Sequence, residues 1–425
     1  MQSPFRTVTQ IAMGAALLSA AAAARPMEPL TGTITLHDAL DATARSNPEL
    51  AAAALGARVG DGRVRQAGLL PNPILSVEGE NLGVPAGDSG AEPTQATLRF
   101  AQLIELGGKR DKRTRLAALE RDGAQWEYEI RRAAVLAETA QRFIAVLGLQ
   151  ERRALAADLV RLADESIGLV EAQARAGAGA PFEIDRARVA LGQAQLTAAQ
   201  REHDLAAARA ALAASWAADH ASFERVSGDL AALSAPPEID LDAVSRNPDV
   251  ARWATELEAR EAALVLERSR AVPDVTLSAG PRVFTDSGQV AAVVELGLPL
   301  PLFDRNQGNV AAASSAVAVA AAQRRAAITA VRAALGRNVD SLRAAYARAT
   351  ALRDGLIPAA QRTYTGAQEA YRRGALRNLE VLDARRAWFE LRDAYLEALV
   401  AYHAARIEVE RLLGADLEAA AGGSR

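Results

Sequence analysis

One set of landmarks is written twice along this chain. Asn47-Pro48 is followed by Pro73 and Asn247-Pro248 by Pro273, so both recur at an offset of 200 (247 − 47, 273 − 73). Gly177-Ala178 leads to Glu183-Ile184 and Gly374-Ala375 to Glu380-Val381, an offset of 197 (374 − 177). The order is kept while three residues are lost between the landmarks. A period this long carries several elements per copy, which excludes a solenoid of single supersecondary units. The 425 residues therefore read as one architecture of two equivalent halves rather than two or three unrelated domains.

Each half reads as helix, two strands, very long helix, turn, helix. Thr35, with Asp38 three residues on, forms a capping-box start, and Leu36, Ala39, Leu40 and Ala44 make the apolar face of a helix expected to run to about Leu70. Pro71-Asn72-Pro73 stops it. From Ile74 the period changes to alternation. Ala96, Leu98 and Phe100 oppose Gln95, Thr97 and Arg99; in the second half Val275, Leu277 and Ala279 oppose Thr276, Ser278 and Gly280, and Val290, Ala292, Val294 and Leu296 follow a turn. These are two strand hairpins, the first with the longer loop, residues 83–90. Alternation fits a soluble sheet with one wet face. It equally fits membrane strands with apolar residues outward. Four strands cannot close a barrel, whose minimum is about eight, so a barrel here needs several chains; three would supply about twelve strands.

Between Gly107 and Gly177 there is no proline, and between Gly308 and Gly374 only Pro358. An unbroken helix over the first stretch would span about 105 Å at roughly 1.5 Å per residue, too long for a compact domain. Ala384, Trp388, Leu391, Tyr395, Ala398, Tyr402, Ala405, Val409 and Leu412 follow a strict heptad. In the descending helix Leu155, Leu159, Leu162 and Leu169 mark one seam, and Ala163, Ile167, Val170 and Ala174 a second beside it. Two seams demand neighbours on both sides, as in a closed ring of helices; a four-helix bundle is the plainer alternative. The expected division is 25–219 for the first repeat, 220–242 as a linker, 243–415 for the second repeat and 416–425 as a disordered tail.

Composition mainly excludes. A net charge of −3 with intermixed signs gives no footprint for nucleic acid. With no cysteine there is no disulfide, thiolate metal site, cysteine nucleophile or lipid-modified cysteine. His37, His203, His220 and His403 are never at i, i+4 spacing, so no histidine metal site is expected, nor any cofactor. Gly107-Gly108-Lys109-Arg110 is not a phosphate loop, because Leu103 stands where a glycine is required and Arg110 where Ser or Thr is. With no nucleophile, metal cluster or nucleotide loop, an enzyme is not expected. Arg6, the apolar residues 11–18 and the small residues 19–24 have the form of a cleaved secretory signal over 1–24. That run falls short of the ~20 residues a membrane helix needs, and no later segment qualifies.

Taken in order, several segments resemble the TolC-like outer membrane factors, and within them the CzcC-type heavy-metal branch. They are Asn47-Pro48 with Thr35-Leu36 before it, Ala67-Gly68-Leu69-Leu70-Pro71-Asn72-Pro73, Glu105-Leu106-Gly107-Gly108-Lys109-Arg110, Leu298-Pro299-Leu300-Pro301-Leu302-Phe303-Asp304-Arg305-Asn306-Gln307-Gly308, and Tyr371-Arg372-Arg373-Gly374 leading to Glu380-Val381-Leu382-Asp383-Ala384. The resemblance covers essentially the whole mature chain. It implies a mainly α fold with a β membrane barrel: four strands and long coiled-coil helices per chain, closing as a homotrimer into a twelve-stranded barrel and a periplasmic helical tunnel. It further implies an outer-membrane location in a Gram-negative bacterium, without a lipid anchor. The implied partners are a periplasmic adaptor (membrane fusion) protein, an inner-membrane pump of the resistance, nodulation and division (RND) type, and outer-membrane lipid. The implied function is an exit duct for cobalt, zinc or cadmium cations; the same duct for drugs, or a periplasmic scaffold without a barrel, are the alternatives.

Residue by residue, the resemblance places the tunnel's inner tip at 174–182 and 372–379, with Gly177, Ala178, Gly179, Gly374, Ala375 and Leu376 meeting the adaptor. Glu380 and Asp383, one helical turn apart, would form two stacked acidic rings in a trimer. Tyr371 and Glu183 fall where neighbouring helices are linked in the closed state, while Leu376 departs from the family's arginine. Lys109, Arg110, Lys112 and Arg113 gather at a helix start, where the helix dipole disfavours cations. Anionic lipid headgroups at the membrane's inner edge, or plain solvation, are the two readings of that cluster.

Overall fold

The computed structural model describes residues 29–82, 94–175, 180–236, 238, 241–285 and 287–415. The expected signal segment, the first hairpin loop beyond Leu82, Gly177, Ala178, Gly179 and the tail lie outside the described residues.

The chain opens with β1 (Gly32–Ile34) and α1 (Leu36–Ser46), and the Thr35 capping box forms as expected, with the Thr35 hydroxyl accepting from Asp38 N–H and Asp38 accepting from Thr35 N–H at 2.8 Å. The helix does not continue to Leu70. It breaks at Asn47, whose backbone is extended, and α2 (Pro48–Ala67) starts afresh. Pro48 has no N–H to give to the preceding turn but suits the first helical position. The second half does the same, with a 3₁₀ turn (Leu241–Arg246), Asn247 as cap, and α5 (Pro248–Arg270).

The repeated Asn-Pro landmark closes each half on itself. Asn47 Oδ1 accepts from the N–H groups of Glu49 (2.9 Å) and Leu50 (3.1 Å), while Asn47 Nδ2 donates to the Ser215 carbonyl (2.8 Å) just past α4 (Pro181–Ala214). Asn247 Oδ1 accepts from Asp249 N–H at 2.8 Å, and Asn247 Nδ2 donates to the Leu412 carbonyl at 3.0 Å, on the last residue of α8 (Asn378–Leu412). One amide thus satisfies orphan donors at the start of a repeat and an orphan acceptor at its end. Asn247 is fully buried.

The strands are β2 (Ile74–Glu80), β3 (Gln95–Ile104), β5 (Val275–Phe284) and β6 (Val290–Gly297), one antiparallel sheet in the order β2-β3-β5-β6. The two hairpins join through β3 and β5, with Phe100 opposite Ala279 and Thr97 opposite Arg282. Between those pairs the strands press together at Gly280, where a Cβ would overlap the Leu98 carbonyl. Leu75 pairs with Phe100, Val77 with Leu98, Leu277 with Leu296 and Ala279 with Val294, so the apolar residues share one face. No described residue covers it: Val77 is 76 % exposed and Val294 71 %. A small second sheet, unexpected from the sequence, pairs β1 in parallel with β4 (Phe223–Val226) and ties the linker back to the N-terminus.

Below the sheet run α3 (Lys109–Arg175), 67 residues and about 100 Å long at 1.5 Å per residue, and α6 (Gln307–Ala351). α6 passes through one π-helical turn (Leu352–Leu356) into α7 (Ile357–Arg372). Pro358 lies just beyond that turn and cannot donate to a residue four back, which accommodates the wider turn. Both expected seams of α3 and the heptad of α8 are buried or half-buried. α3 packs on α1, α2, α4, α5 and α8, so it has neighbours on several sides. One core surrounds Phe143, Leu212 and Phe223; a second surrounds Leu335, Tyr402 and Leu412; a third, at the far end, holds Val170, Tyr364, Tyr371 and Val381. Among the described residues no helix is long and apolar enough to cross a membrane.

Replacing Asn247 by Ala removes the cap and the bond to Leu412 together and is expected to cost about 1–3 kcal/mol. The measurement is thermal loss of helical circular dichroism, with Asn247→Asp, which keeps the acceptor, expected to recover part of the loss. Gly280→Ala should force β3 and β5 apart at a cost of about 1–3 kcal/mol or more, read as a reduced yield of membrane-inserted protein.

Candidate functional site

Two regions gather the chain's functional groups, the far end of the helices and the polar face of the sheet. At the far end α7 terminates in a Schellman motif: Gly374, at φ +74°, donates to the Tyr371 carbonyl (2.9 Å) and Ala375 N–H to the Ala370 carbonyl (2.9 Å). Only a residue free of a Cβ takes that φ without strain. The loop leaves Ala375 and Leu376 exposed before α8 begins. Across from it, Ala180 is the extended cap of α4 and Pro181 its first residue.

Tyr371 joins the two hairpins here. Its carbonyl also accepts from Gln173 Nε2 on α3 (2.9 Å), and its side chain is 4 % exposed. Among the described residues the hydroxyl has no hydrogen-bond partner. Burial pushes its pKa up, and the nearby Glu183 carboxylate pushes it further, so it stays a protonated donor. Tyr371 and half-buried Glu183 are therefore neighbours without a bond between them. Glu380 and Asp383 are exposed one turn apart at the start of α8, and among the described residues neither has a hydrogen bond or ion pair. Gly177, Ala178 and Gly179 lie outside the described residues.

Two neighbours of this end escaped the sequence reading. Arg385 is 5 % exposed, donates to the Leu162 carbonyl (3.1 Å), and has its pKa lowered by burial. Asn378 is buried, and neither of its amide atoms has a hydrogen-bond partner among the described residues. Beside them the seam residue Trp388 stacks on Tyr364 with ring centroids 5.4 Å apart. Arg385 sits beside the Ala384 seam position, and a heptad alone gives no signal that a cation there turns inward.

The basic cluster divides. Lys109 is almost wholly buried and its Nζ lies 2.7 Å from Asp274 Oδ1, which also accepts from Leu106 N–H (2.9 Å). Arg113 pairs with Glu105 at 2.6 Å and donates to the carbonyls of Ala67, the last residue of α2, and Leu69 just beyond it. Lys112 Nζ donates to the Gly107 carbonyl (2.8 Å), and Arg110 is exposed, with Asp111 3.8 Å away. Expected as one surface-facing patch, the four cations are for the most part turned to intramolecular contacts. The carboxylates of Asp274 and Glu105 offset the helix dipole that disfavours cations at this end.

On the polar face of the sheet Arg99 reaches Glu78 on β2 (2.9 Å) and Glu295 on β6 (2.7 Å). The missing side chain of Gly280 lets it cross β5. Arg282 donates to Thr97 Oγ1 (3.0 Å) with Glu80 at 3.8 Å. Thr97 and Ser278 are buried on this face. No group of three or more His, Asp or Glu side chains that could hold a metal occurs among the described residues.

Known proteins share both the pattern and the shape. The cobalt-zinc-cadmium resistance protein CzcC of Cupriavidus metallidurans is 33 % identical over 389 residues, covering 90 % of each chain. A membrane protein of Pseudomonas aeruginosa superposes with a TM-score of 0.77 at 21 % identity, over 90 % of this chain and 91 % of that one. The transmembrane channel CusC superposes with a TM-score of 0.76 at 17 % identity, over 92 % and 96 % of the two chains. The family described as outer membrane efflux protein matches residues 39–218 and 242–415. The chain belongs to the outer membrane efflux protein family.

Proposed function

We propose that three copies of this chain form an outer-membrane exit duct for divalent heavy-metal cations. The observation that carries the cargo is the 33 % identity, over 90 % of both chains, to a cobalt-zinc-cadmium resistance protein. The sheet supports the membrane position, because an uncovered apolar face and two unpaired edges suit a barrel closed by other copies. Two copies would give about eight strands, whose interior side chains fill; three give about twelve and leave a passage. With no cysteine for a lipid anchor, attachment to the membrane falls to the barrel itself.

The helices carry the duct into the periplasm. There 174–182 and 372–379 meet a periplasmic adaptor, which couples the duct to an inner-membrane RND pump. Glu380 and Asp383 supply acidic rings at the narrow end, supported by their exposure and by the lack of a hydrogen bond or ion pair to either among the described residues. Tyr371, protonated and unpaired beside Glu183, is the donor that closes the tip when the helices tighten.

A deletion strain should lose tolerance to at least one of zinc, cadmium, cobalt, nickel or copper in a growth panel, by roughly the order of magnitude expected when an exit path is lost. Unchanged tolerance to all five with a fall in drug tolerance would assign the duct to organic compounds. Glu380→Ala with Asp383→Ala should change single-channel conductance and lower cation selectivity in planar bilayers; an unaltered channel would remove both residues from the lumen.

A further inference from the structure

The five carboxylates between 74 and 82, 94 and 106, and 272 and 297 of the described residues are Glu78, Glu80, Glu105, Asp274 and Glu295. Each has a cation. Arg99 holds Glu78 and Glu295, Arg282 lies by Glu80, Arg113 holds Glu105 and Lys109 holds Asp274. The far end of the same molecule is the opposite, with Glu380 and Asp383 exposed and, among the described residues, held by no ion pair or hydrogen bond. Both arginines of the sheet stand on its two central strands and lie flat across the polar face, each side chain 24 % exposed.

We propose that Arg99 and Arg282 keep the outer section of the duct from retaining divalent cations. This rests on the reading above that the polar face lines the lumen. Zinc, cadmium and cobalt can be captured by carboxylate oxygens when two or more converge. Here Glu78 and Glu295 are drawn to different amino groups of one guanidinium, with Glu78 Oε2 accepting a charge-assisted hydrogen bond from Nη2 (2.9 Å) and Glu295 Oε2 lying 2.7 Å from Nη1. A fixed positive charge beside each oxygen also repels an approaching cation. Arginine does not deprotonate in proteins, so the compensation holds at any pH the outer membrane meets. Cargo drawn in by the exposed carboxylates at the inner end thus finds, among the described residues of the sheet, no carboxylate without a cation beside it. Gly280 belongs to the same device, since a side chain there would block the path of Arg99 to β6.

The test uses ZnCl₂ added on the barrel side of single channels in planar bilayers. The parent is Glu380→Ala/Asp383→Ala, so that the tip cannot bind the metal. Zinc should leave its conductance nearly unchanged, whereas adding Arg99→Gln and Arg282→Gln should produce a block at about tenfold lower zinc. If the four-fold variant does not insert, Arg99→Gln alone on the same parent frees both Glu78 and Glu295 while leaving Arg282 by Glu80, and a rise in zinc sensitivity is again expected. Zinc block of the parent, or equal zinc sensitivity in parent and arginine variants, overturns the proposal. Failure of the duct reading would show separately, as absence of any conductance from the unaltered protein.

Discussion

The sheet has two open edges, and most of the molecule's organisation follows from that. β2 and β6 each present a row of backbone donors and acceptors with no strand partner among the described residues. In hydrocarbon such groups cannot turn to water, so a four-stranded sheet with an uncovered apolar face is not a finished object. Copies of itself, edge to edge, are the occupant that satisfies both edges at once. The inner face is already prepared for closure. Arg99 ties β3 to both outer strands, and Gly280 provides the close approach that lets β3 and β5 join the two hairpins into one surface.

The helices are incomplete in the same sense. A 67-residue helix cannot bury itself, and α3 is stabilised by neighbours along much of its length. α4 nevertheless carries Phe182, Val189 and Leu196 at seven-residue spacing, all more than half exposed. That is an apolar seam facing out of the chain. What keeps each half together until it meets other copies is local: the Asn47 and Asn247 amides, each bonded at once to the start and the end of its own repeat.

Duplication gives the two halves one plan, and their differences lie at the narrow end. Arg188 and Arg385 are equivalent under the offset of 197 (385 − 188). Arg188 is exposed beside Glu171 and Asp185, while Arg385 is buried against the Leu162 carbonyl. Asp383 has Arg186 as its counterpart, and only the second half contains a π-helical turn in its long helix. The second repeat therefore supplies the unpaired carboxylates, the buried cation and the interrupted helix, a combination suited to the moving part of a duct.

Periodicity and punctuation alone determined the duplication, the two hairpins, the long helices and the heptad seams, because each follows from residues close together in the sequence. The landmark prolines and glycines were readable for the same reason, although the helix break at Asn47 was not, since one helical period runs through it. The spacing that puts Glu380 and Asp383 one turn apart is likewise local, and both are exposed at the start of α8. Only the tertiary structure decided which charges are free. Lys109 meets Asp274 across 165 positions and Arg385 meets Leu162 across 223, and no local pattern records such distances. Charges read as a surface cluster became internal ties for that reason, and the compensated exit of the sheet came into view only once strands from both halves lay side by side.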